Sequence, residues 1–271
     1  SPDVTVVVNT LCNTTEQLKK ELEQKEIVVK QGNYYKNVLH LSKTADMRKL
    51  EAFHKGKFHI QDESSVTAIE ILSPQAGEKI LDICAAPGGK SFLMAEKMNN
   101  EGQIFCCDIY ENKLELLKEG AERLGITILT VKQQDGSIFE QSYQEAFDKI
   151  LVDAPCSGLG LIRKKPDIRL KKNGNDIDSI LLLQKEILKQ SAKYVKKNGV
   201  LVYSTCTLCK KENEKNVEWF LQQNKNFELE DISPFLPSKM KTETAKKGYI
   251  TLYPHIHHTD GFFIARFRRK E

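Results

Sequence analysis

The chain has 271 residues, which predicts one or two domains at about 150 residues each. Its composition, 40% hydrophobic and 29% charged with 15 Gly and 8 Pro, is that of an ordinary globular protein and excludes a collagen-like or disordered chain. No apolar run reaches the roughly 20 residues that a bilayer crossing needs, so we expect no membrane partner. The net charge of +4 is too small to predict a nucleic-acid partner by itself.

The chain has seven cysteines, which is an odd number, and they are scattered along the sequence. A chain of this size does not need a disulfide framework. This usage predicts a reducing compartment, and we expect a cytoplasmic protein. The first residues, SPDVTVVVNT, lack the cationic and apolar regions of a secretory signal. They also lack an initiating methionine, so we expect a processed or truncated chain.

Residues 1–51 alternate between strand-like and helix-like patterns. An apolar run at 4–8 and short pieces near 28 and 38–41 indicate strands, while Leu18 and Leu22 lie at helical spacing. We predict a small α+β unit here and a second domain over residues 52–271. Asp62 is placed to cap a helix over ESSVTAIEILS.

The second domain alternates strands and helices. We predict strands at 79–84, 103–108, 127–132, 149–153 and 200–204, and helices at 91–98, 111–124 and 177–197. The tail adds a helix at 212–222 and a strand at 262–267. This alternation predicts an α/β fold, a mostly parallel sheet with helices on both faces.

Ligands of such sheets bind at the carboxyl ends of the strands, where the sequence places Asp82, Asp108, Asp135, Asp153 and Cys206. The turn DICAAPGGK follows the first of these strands and opens a helix, so its amides can approach a ligand closely. It matches neither the dinucleotide fingerprint nor the phosphate-binding P-loop. A nucleoside with an amino-acid end, S-adenosylmethionine, fits better: Asp108 is placed for the ribose hydroxyls and Asp135 for the adenine amino group.

Two cysteines follow neighbouring predicted strands, in DAPCSG and STCT. Both lie in polar loops where a thiolate can be stabilised. A thiolate that adds to carbon 6 of a pyrimidine activates carbon 5 for methylation, and a carboxylate such as Asp153 near nitrogen 3 assists the addition. The residues alone do not rank Cys156 and Cys206, and the use of a Pro-Cys thiol by DNA cytosine-5 methyltransferases would favour Cys156.

With these motifs the sequence resembles the Sun/Fmu-type RNA (cytosine-5) methyltransferases, the family that includes the bacterial RsmB-like enzymes. DICAAPGGK, DAPCSGLG, STCT and a terminal H-x-x-D-G-F-F occur in the family's order over about residues 52–271. The resemblance implies a Rossmann-like S-adenosylmethionine-dependent methyltransferase domain at 52–271, preceded by an α+β RNA-binding-like subdomain at 1–51. It also implies methyl transfer to carbon 5 of a cytosine in small-subunit (16S) ribosomal RNA. The family's further N-terminal helical domain has no counterpart here, so we expect either a fragment or a shorter member.

The resemblance also assigns roles to individual residues. Cys206 would be the nucleophile, Cys156 would assist product release, and Lys90 and Asp153 would face the reaction centre. We assign S-adenosylmethionine to Asp82, Cys84, Ala85, Ala86, Pro87, Gly88, Gly89, Lys90, Asp108, Lys113, Asp135, Gly136 and Asp153.

A cationic segment directly after DAPCSG predicts contacts with RNA phosphates. We assign these contacts to Arg163, Lys164, Lys165, Arg169 and Lys171. We expect no metal site, because the Cys206–Cys209 pair and the histidines near Asp260 lack further ligands at suitable spacing. We also expect a monomer. The alternatives are a transfer RNA or DNA cytosine-5 methyltransferase, and a non-catalytic RNA-binding ribosome assembly factor.

Overall fold

The structure is a computed structural model that describes residues 3–42, 46–158 and 174–271, without the side chains of residues 174 and 175. The described strands are β1 Val4–Val8, β2 Val28–Gln31, β3 Val38–Ser42, β4 Phe58–Ile60, β5 Lys79–Asp82, β6 Gln103–Asp108, β7 Leu129–Gln133, β8 Phe147–Asp153, β9 Val195–Thr205, β10 Phe227–Leu229, β11 Tyr249–Leu252 and β12 Phe262–Arg269. The described α-helices are α1 Thr15–Gln24, α2 Glu51–His54, α3 Glu63–Leu72, α4 Gly89–Lys97, α5 Glu111–Leu124, α6 Gly174–Ala192, α7 Glu214–Gln223 and α8 Pro254–His257.

The first unit is a four-stranded antiparallel sheet in the order β2-β3-β1-β4. Helix α1 begins with a capping box, in which Thr14 and Gln17 each bind the other's backbone amide, and buries Leu18 and Leu22 in a core shared with the sheet. Strand β4 belongs to this sheet, so the sheet extends beyond residue 51. The domain division at 51 and 52 stays a prediction.

The larger sheet has the order β10-β12-β9-β8-β5-β6-β7, and β11 pairs with β12. Strands β5 to β9 run parallel to one another, and β12 runs antiparallel to β9. This arrangement confirms the predicted α/β class. Strands β10 and β11, which pair with β12, were absent from the prediction.

Apolar side chains cover both faces of the sheet. Along β8, Leu151 points into a core with α3, α4 and α5, while Ile150 and Val152 point into a second core with α6 and α7. Successive strand residues face opposite sides, so a strand covered on both faces is apolar throughout.

Several predicted boundaries are wrong, including the start of the strand predicted at 200–204, which begins at Val195, and two of the errors concern the ends of elements. The helix predicted at 177–197 ends at Ala192, because the chain enters β9 at Val195, which is fully buried and pairs with Phe147. The strand predicted at 79–84 ends at Asp82, because the chain then turns out of the sheet toward the glycines. In this segment Ala85 N still donates to Cys107 O at 2.8 Å.

Asn9 ties the first unit to the second. Its buried side-chain amide donates to Gly56 O at 2.8 Å and to Leu124 O, at the end of α5, at 2.9 Å. Arg123, on the same helix, donates to Phe53 O and Phe58 O. Within the described ranges no helix is both long and apolar enough to cross a membrane.

Candidate active site

The carboxyl ends of the parallel strands meet at one edge of the sheet. Strands β5, β6 and β8 end at Asp82, Asp108 and Asp153, and Cys206 directly follows β9. Asp135 lies two residues beyond β7. Two adjoining cavities open along this edge, and they share Cys84, Ala86 and Asp153 as lining residues.

The first of these, which we call the Asp108 cavity, has a volume of about 330 Å³. Asp108 accepts hydrogen bonds from Ala86 N and Tyr110 N, both at 3.2 Å, so its carboxylate is fixed between the glycine turn and the start of α5. The cavity is lined by Ile83, Cys84, Ala86, Asp108, Ile109, Tyr110, Lys113, Gln134, Asp135, Gly136, Asp153, Ala154, Pro155, Cys156, Leu183, Ile187 and Cys206. Apolar walls with a few fixed polar groups are typical of small-molecule sites.

The second, the turn cavity, has a volume of about 520 Å³. It is lined by Ile60, Gln61, Asp62, Ser65, Asp82, Cys84, Ala85, Ala86, Pro87, Gly88, Gly89, Lys90, Asp153 and Asp260. Asp82 is buried at its wall, and its Oδ2 accepts a hydrogen bond from Ser91 Oγ at 2.7 Å. Burial raises the pKa of Asp82 to about 7, because desolvation disfavours the charged carboxylate.

Lys90 and Asp153 form an ion pair where the two cavities meet. Lys90 Nζ lies 2.7 Å from Asp153 Oδ2, and Ser204 Oγ donates to the other oxygen, Oδ1, at 2.8 Å. Burial disfavours the Lys90 ammonium, but the attraction and hydrogen bond of Asp153 outweigh it, so the pKa of Lys90 is raised. The Lys90 ammonium therefore stays charged near Cys206, next to the opposite charge of Asp153.

The two thiols of the site are in contact. Cys206 N donates to Cys156 Sγ at 3.3 Å. Hydrogen bonding of its side chain with Cys206, followed by burial, raises the pKa of Cys156 well above its usual value. The same bond lowers the pKa of Cys206, against the effects of burial and of Asp153 and with help from the charge of Lys90. Cys206 is therefore the thiol that ionises more readily.

All the residues assigned to the cofactor or the chemistry line these cavities. The Asp108 cavity contains Cys84, Ala86, Asp108, Lys113, Asp135, Gly136, Asp153, Cys156 and Cys206, and the turn cavity contains Asp82, Cys84, Ala85, Ala86, Pro87, Gly88, Gly89, Lys90 and Asp153. Their roles stay predictions. The residues assigned to RNA, Arg163, Lys164, Lys165, Arg169 and Lys171, lie outside the described residues.

Sequence reasoning missed several residues at this edge. One of them is Ser204, which donates a hydrogen bond to Asp153. The sequence feature that could have indicated this contact is the position of Ser204 in STCT, on a strand predicted to lie next to the strand of Asp153. The apolar wall of Ile83, Leu183 and Ile187 had no signal apart from ordinary helix and strand patterning.

The histidines near the C-terminus have local partners. His257 accepts a hydrogen bond from Tyr253 N at 2.9 Å, and its Nε2 lies 2.6 Å from Lys241 O. Across the part of the chain that the structure describes, no three His, Cys, Asp or Glu side chains are grouped to hold a metal ion.

The parallel sheet, the glycine turn that opens α4 and the acidic strand ends form the Rossmann-like arrangement of methyltransferase domains that bind S-adenosylmethionine. Residues 69–268 match the family model described as 16S rRNA methyltransferase RsmB/F. The chain belongs to this family.

Individual relatives agree with this assignment. The chain is 38% identical to a probable ribosomal RNA small subunit methyltransferase B from Bacillus subtilis (strain 168), covering 99% of this chain and 60% of the relative. It is 39% identical to a protein of the same description from Synechocystis sp., covering 84% of this chain and 51% of the relative. Among solved structures, a methyltransferase homologue from Pyrococcus horikoshii is 31% identical with a TM-score of 0.82, covering 99% of this chain and 87% of that chain. The chain thus spans little more than half the length of these curated relatives.

Proposed function

We propose that this chain transfers a methyl group from S-adenosylmethionine to carbon 5 of a cytosine in small-subunit (16S) ribosomal RNA. The observation that carries the proposal is the contact between Cys156 and Cys206 beside the Lys90–Asp153 ion pair, where both cavities meet. The descriptions of the curated relatives support ribosomal RNA as the substrate.

The residues of the Asp108 cavity fit the cofactor. Asp108 can accept hydrogen bonds from both ribose hydroxyls, and Ile83 and Ile187 offer an apolar surface to an adenine ring. Gly136 keeps this wall open, because a Cβ at that position would lie 2.9 Å from Ile83 Cγ1. S-adenosylmethionine, when bound, supplies a methyl group on a positively charged sulfur.

Cys206 would be the nucleophile. Its lowered pKa favours the thiolate, the form that attacks carbon. When the thiolate forms a bond with carbon 6 of cytosine, an electron pair moves toward carbon 5, which becomes nucleophilic enough to take the methyl group. As the addition proceeds, nitrogen 3 of the ring takes up a proton from water, and Asp153, oriented by Lys90 and Ser204, can accept a hydrogen bond from this N–H and stabilise the adduct.

Cys156 would act after the transfer. The proton on carbon 5 must then leave so that the bond between Cys206 and carbon 6 can break and release the thiolate. Cys156 carries the raised pKa and contacts Cys206, so its thiol is held protonated while Cys206 reacts. Once it has passed its own proton to water, its thiolate takes up the proton of carbon 5, directly or through water, and the electron pair of that C–H bond restores the double bond as the Cys206 thiolate leaves.

The proposal includes RNA phosphate contacts by the cationic segment that contains Lys164 and Lys165, which lies outside the described residues. It also includes action as a monomer in the cytoplasm. The phosphate contacts rest on the charge of that segment, and the cytoplasmic location rests on the cysteine content of the sequence.

Alanine variants of the two cysteines test the proposal. With unmodified 16S ribosomal RNA transcribed from the Bacillus subtilis sequence and S-adenosylmethionine, Cys156→Ala should accumulate a protein–RNA conjugate that survives denaturing electrophoresis and disappears with nuclease. Cys206→Ala should form no conjugate and no methylated product, because no thiolate adds to the base.

Cys209→Ala is the matched control, because Cys209 lies close to Cys206 in the chain and lines neither cavity. It should turn over like the unaltered protein, without a conjugate. A conjugate in Cys206→Ala, with none in Cys156→Ala, would reverse the two roles. Methylation by Cys206→Ala without any conjugate would exclude the covalent route.

A further inference from the structure

Glu212 is a fully buried carboxylate between the two loops that carry the thiols. Its Oε1 accepts hydrogen bonds from Ser157 N at 2.8 Å and from Gln184 Nε2 at 3.1 Å. Its Oε2 accepts one from Ser157 Oγ at 2.7 Å. Removing a carboxylate from water is costly unless its oxygens are well bonded, and both oxygens of Glu212 are.

Each of these hydrogen bonds connects Glu212 to a loop that carries one of the two thiols. Ser157 directly follows Cys156, and its hydroxyl lies 2.9 Å from Thr207 Oγ1, in the residue directly after Cys206. Gln184, on α6, also donates to Pro155 O at 2.9 Å, on the other side of Cys156. The carboxylate therefore holds Cys156 from both sides and is linked through Ser157 to the Cys206 loop.

The backbone of Glu212 is fixed as well. Its carbonyl oxygen accepts hydrogen bonds from Tyr203 OH at 2.6 Å and from Asn216 Nδ2 at 3.1 Å. Tyr203 lies on β9 and Asn216 on α7, so this anchor belongs to the rigid part of the fold. A fixed anchor can set the distance between the two loops.

We propose that Glu212 is a positioning residue that holds Cys156 against Cys206, so that Cys156 Sγ keeps its hydrogen bond with Cys206 N and Cys206 is ready to attack. The reaction it would serve is the one proposed above, and the inference rests on that function. Glu212 lines neither cavity, so it would act through Ser157 and Gln184 rather than by touching the substrate.

Glutamine is a weaker hydrogen-bond partner here than the carboxylate. Three donors converge on the two oxygens, whereas a glutamine side chain offers one acceptor oxygen and one NH₂ group, which is itself a donor. Glu212→Gln would therefore replace hydrogen bonds to a charged acceptor with weaker neutral ones, and its NH₂ group would face Ser157 Oγ, which would have to accept instead of donate. The Cys156 loop would shift, and the contact between the thiols would weaken.

The test measures the ionisation of Cys206 without any RNA. The unaltered protein and Glu212→Gln are treated with iodoacetamide from pH 6 to 10, and the alkylation of Cys206 is read from peptide fragment masses. The midpoint should rise in Glu212→Gln by about one to two pH units, the value of a hydrogen bond to a charged group. Simple loss of a negative charge would lower the midpoint, so the sign separates positioning from direct electrostatics.

Glu63→Gln is the matched control. Glu63 is also buried, and it accepts hydrogen bonds from Asn33 N and Tyr34 N, both at 2.8 Å, far along the chain from the thiols. This variant should keep the midpoint of the unaltered protein. An unchanged or lower midpoint in Glu212→Gln, or an equal rise in Glu63→Gln, would overturn the proposal.

Ser157→Ala covers the case in which Glu212→Gln does not fold. It removes one hydroxyl, and it should raise the Cys206 midpoint by a smaller amount; no rise in the folded variant would overturn the proposal.

The conjugate assay separates the two proposals. If Glu212→Gln shifts the midpoint but Cys156→Ala traps no RNA, the proposed reaction fails while the alignment of the thiols by Glu212 stands.

Discussion

Asp82 is a carboxyl group that the fold withdraws from water at the end of β5. Its pKa of about 7, against an ordinary value of 3.8, means that the folded protein keeps the proton over a pH range in which the unfolded chain has lost it. This contribution to stability is therefore complete below about pH 4 and is lost as the pH rises through 7.

Asp82→Asn should remove this dependence, because an amide is neutral at every pH and its oxygen can still accept from Ser91. The unaltered protein should lose stability as the pH rises from 5.5 to 8, and the variant should not. Over this range the difference in unfolding free energy between the two proteins, measured by urea denaturation, should shift by about 2 kcal/mol in favour of the variant. Asp231→Asn, at an exposed turn, should leave the dependence unchanged. The same pH dependence in Asp82→Asn as in the unaltered protein would contradict the buried, protonated state.

The sequence predicts which residues lie at the strand ends, but not how their side chains pair. That Ser204 meets Asp153 depends on the register of β8 with β9, in which these two residues are opposite each other. The different ionisation of Cys156 and Cys206 depends on a contact between loops 50 residues apart in the chain. A pattern of residue types does not contain such distances.

Helix α4 depends on a glycine at its start. Gly88 has φ +114°, and a Cβ there would lie 2.9 Å from both Leu117 Cγ and Phe92 Cζ, so α4 packs closely against α5 at this point. Gly125, which ends α5 at φ +73°, has open space around it. Substitutions at the two glycines therefore allow the cost of a left-handed backbone to be measured apart from the cost of steric overlap.

Gly88→Ala should destabilise the protein more than Gly125→Ala. The Gly125 variant should lose about 1 to 2 kcal/mol of unfolding free energy from the left-handed backbone alone. The Gly88 variant should lose a further 1 to 3 kcal/mol, roughly, because the added methyl group overlaps the core. Urea denaturation of both variants measures the difference. Equal losses would mean that α4 and α5 accommodate the added methyl group without a loss of unfolding free energy.

Element types were easier to predict than element ends. The bounds predicted for α5 agree with the structure, because an apolar stripe and a terminal glycine both mark them. The end of α6 was wrong because Val195 continues the helical spacing, and only its pairing with Phe147 makes it a strand residue. Tertiary pairing overrides a local pattern there.

At the scale of the whole molecule, the parallel sheet could be predicted because β5, β6 and β8 are apolar runs alternating with amphipathic helices. The antiparallel edge could not, because β10 and β11 are strands of three and four residues. The packing of the first unit against the second could not be predicted from the sequence either. It depends on Asn9 binding Leu124 O, 115 residues away along the chain.

The identity of the methylated atom tests the central claim most directly. The chain is incubated with S-adenosylmethionine carrying a labelled methyl group and with unmodified 16S ribosomal RNA transcribed from the Bacillus subtilis sequence. The RNA is then digested and its nucleosides are separated by mass spectrometry. We predict the label in 5-methylcytidine, with none after reaction with Cys206→Ala. Label in N4-methylcytidine or in a methylated purine, or no transfer to this RNA, would contradict the account.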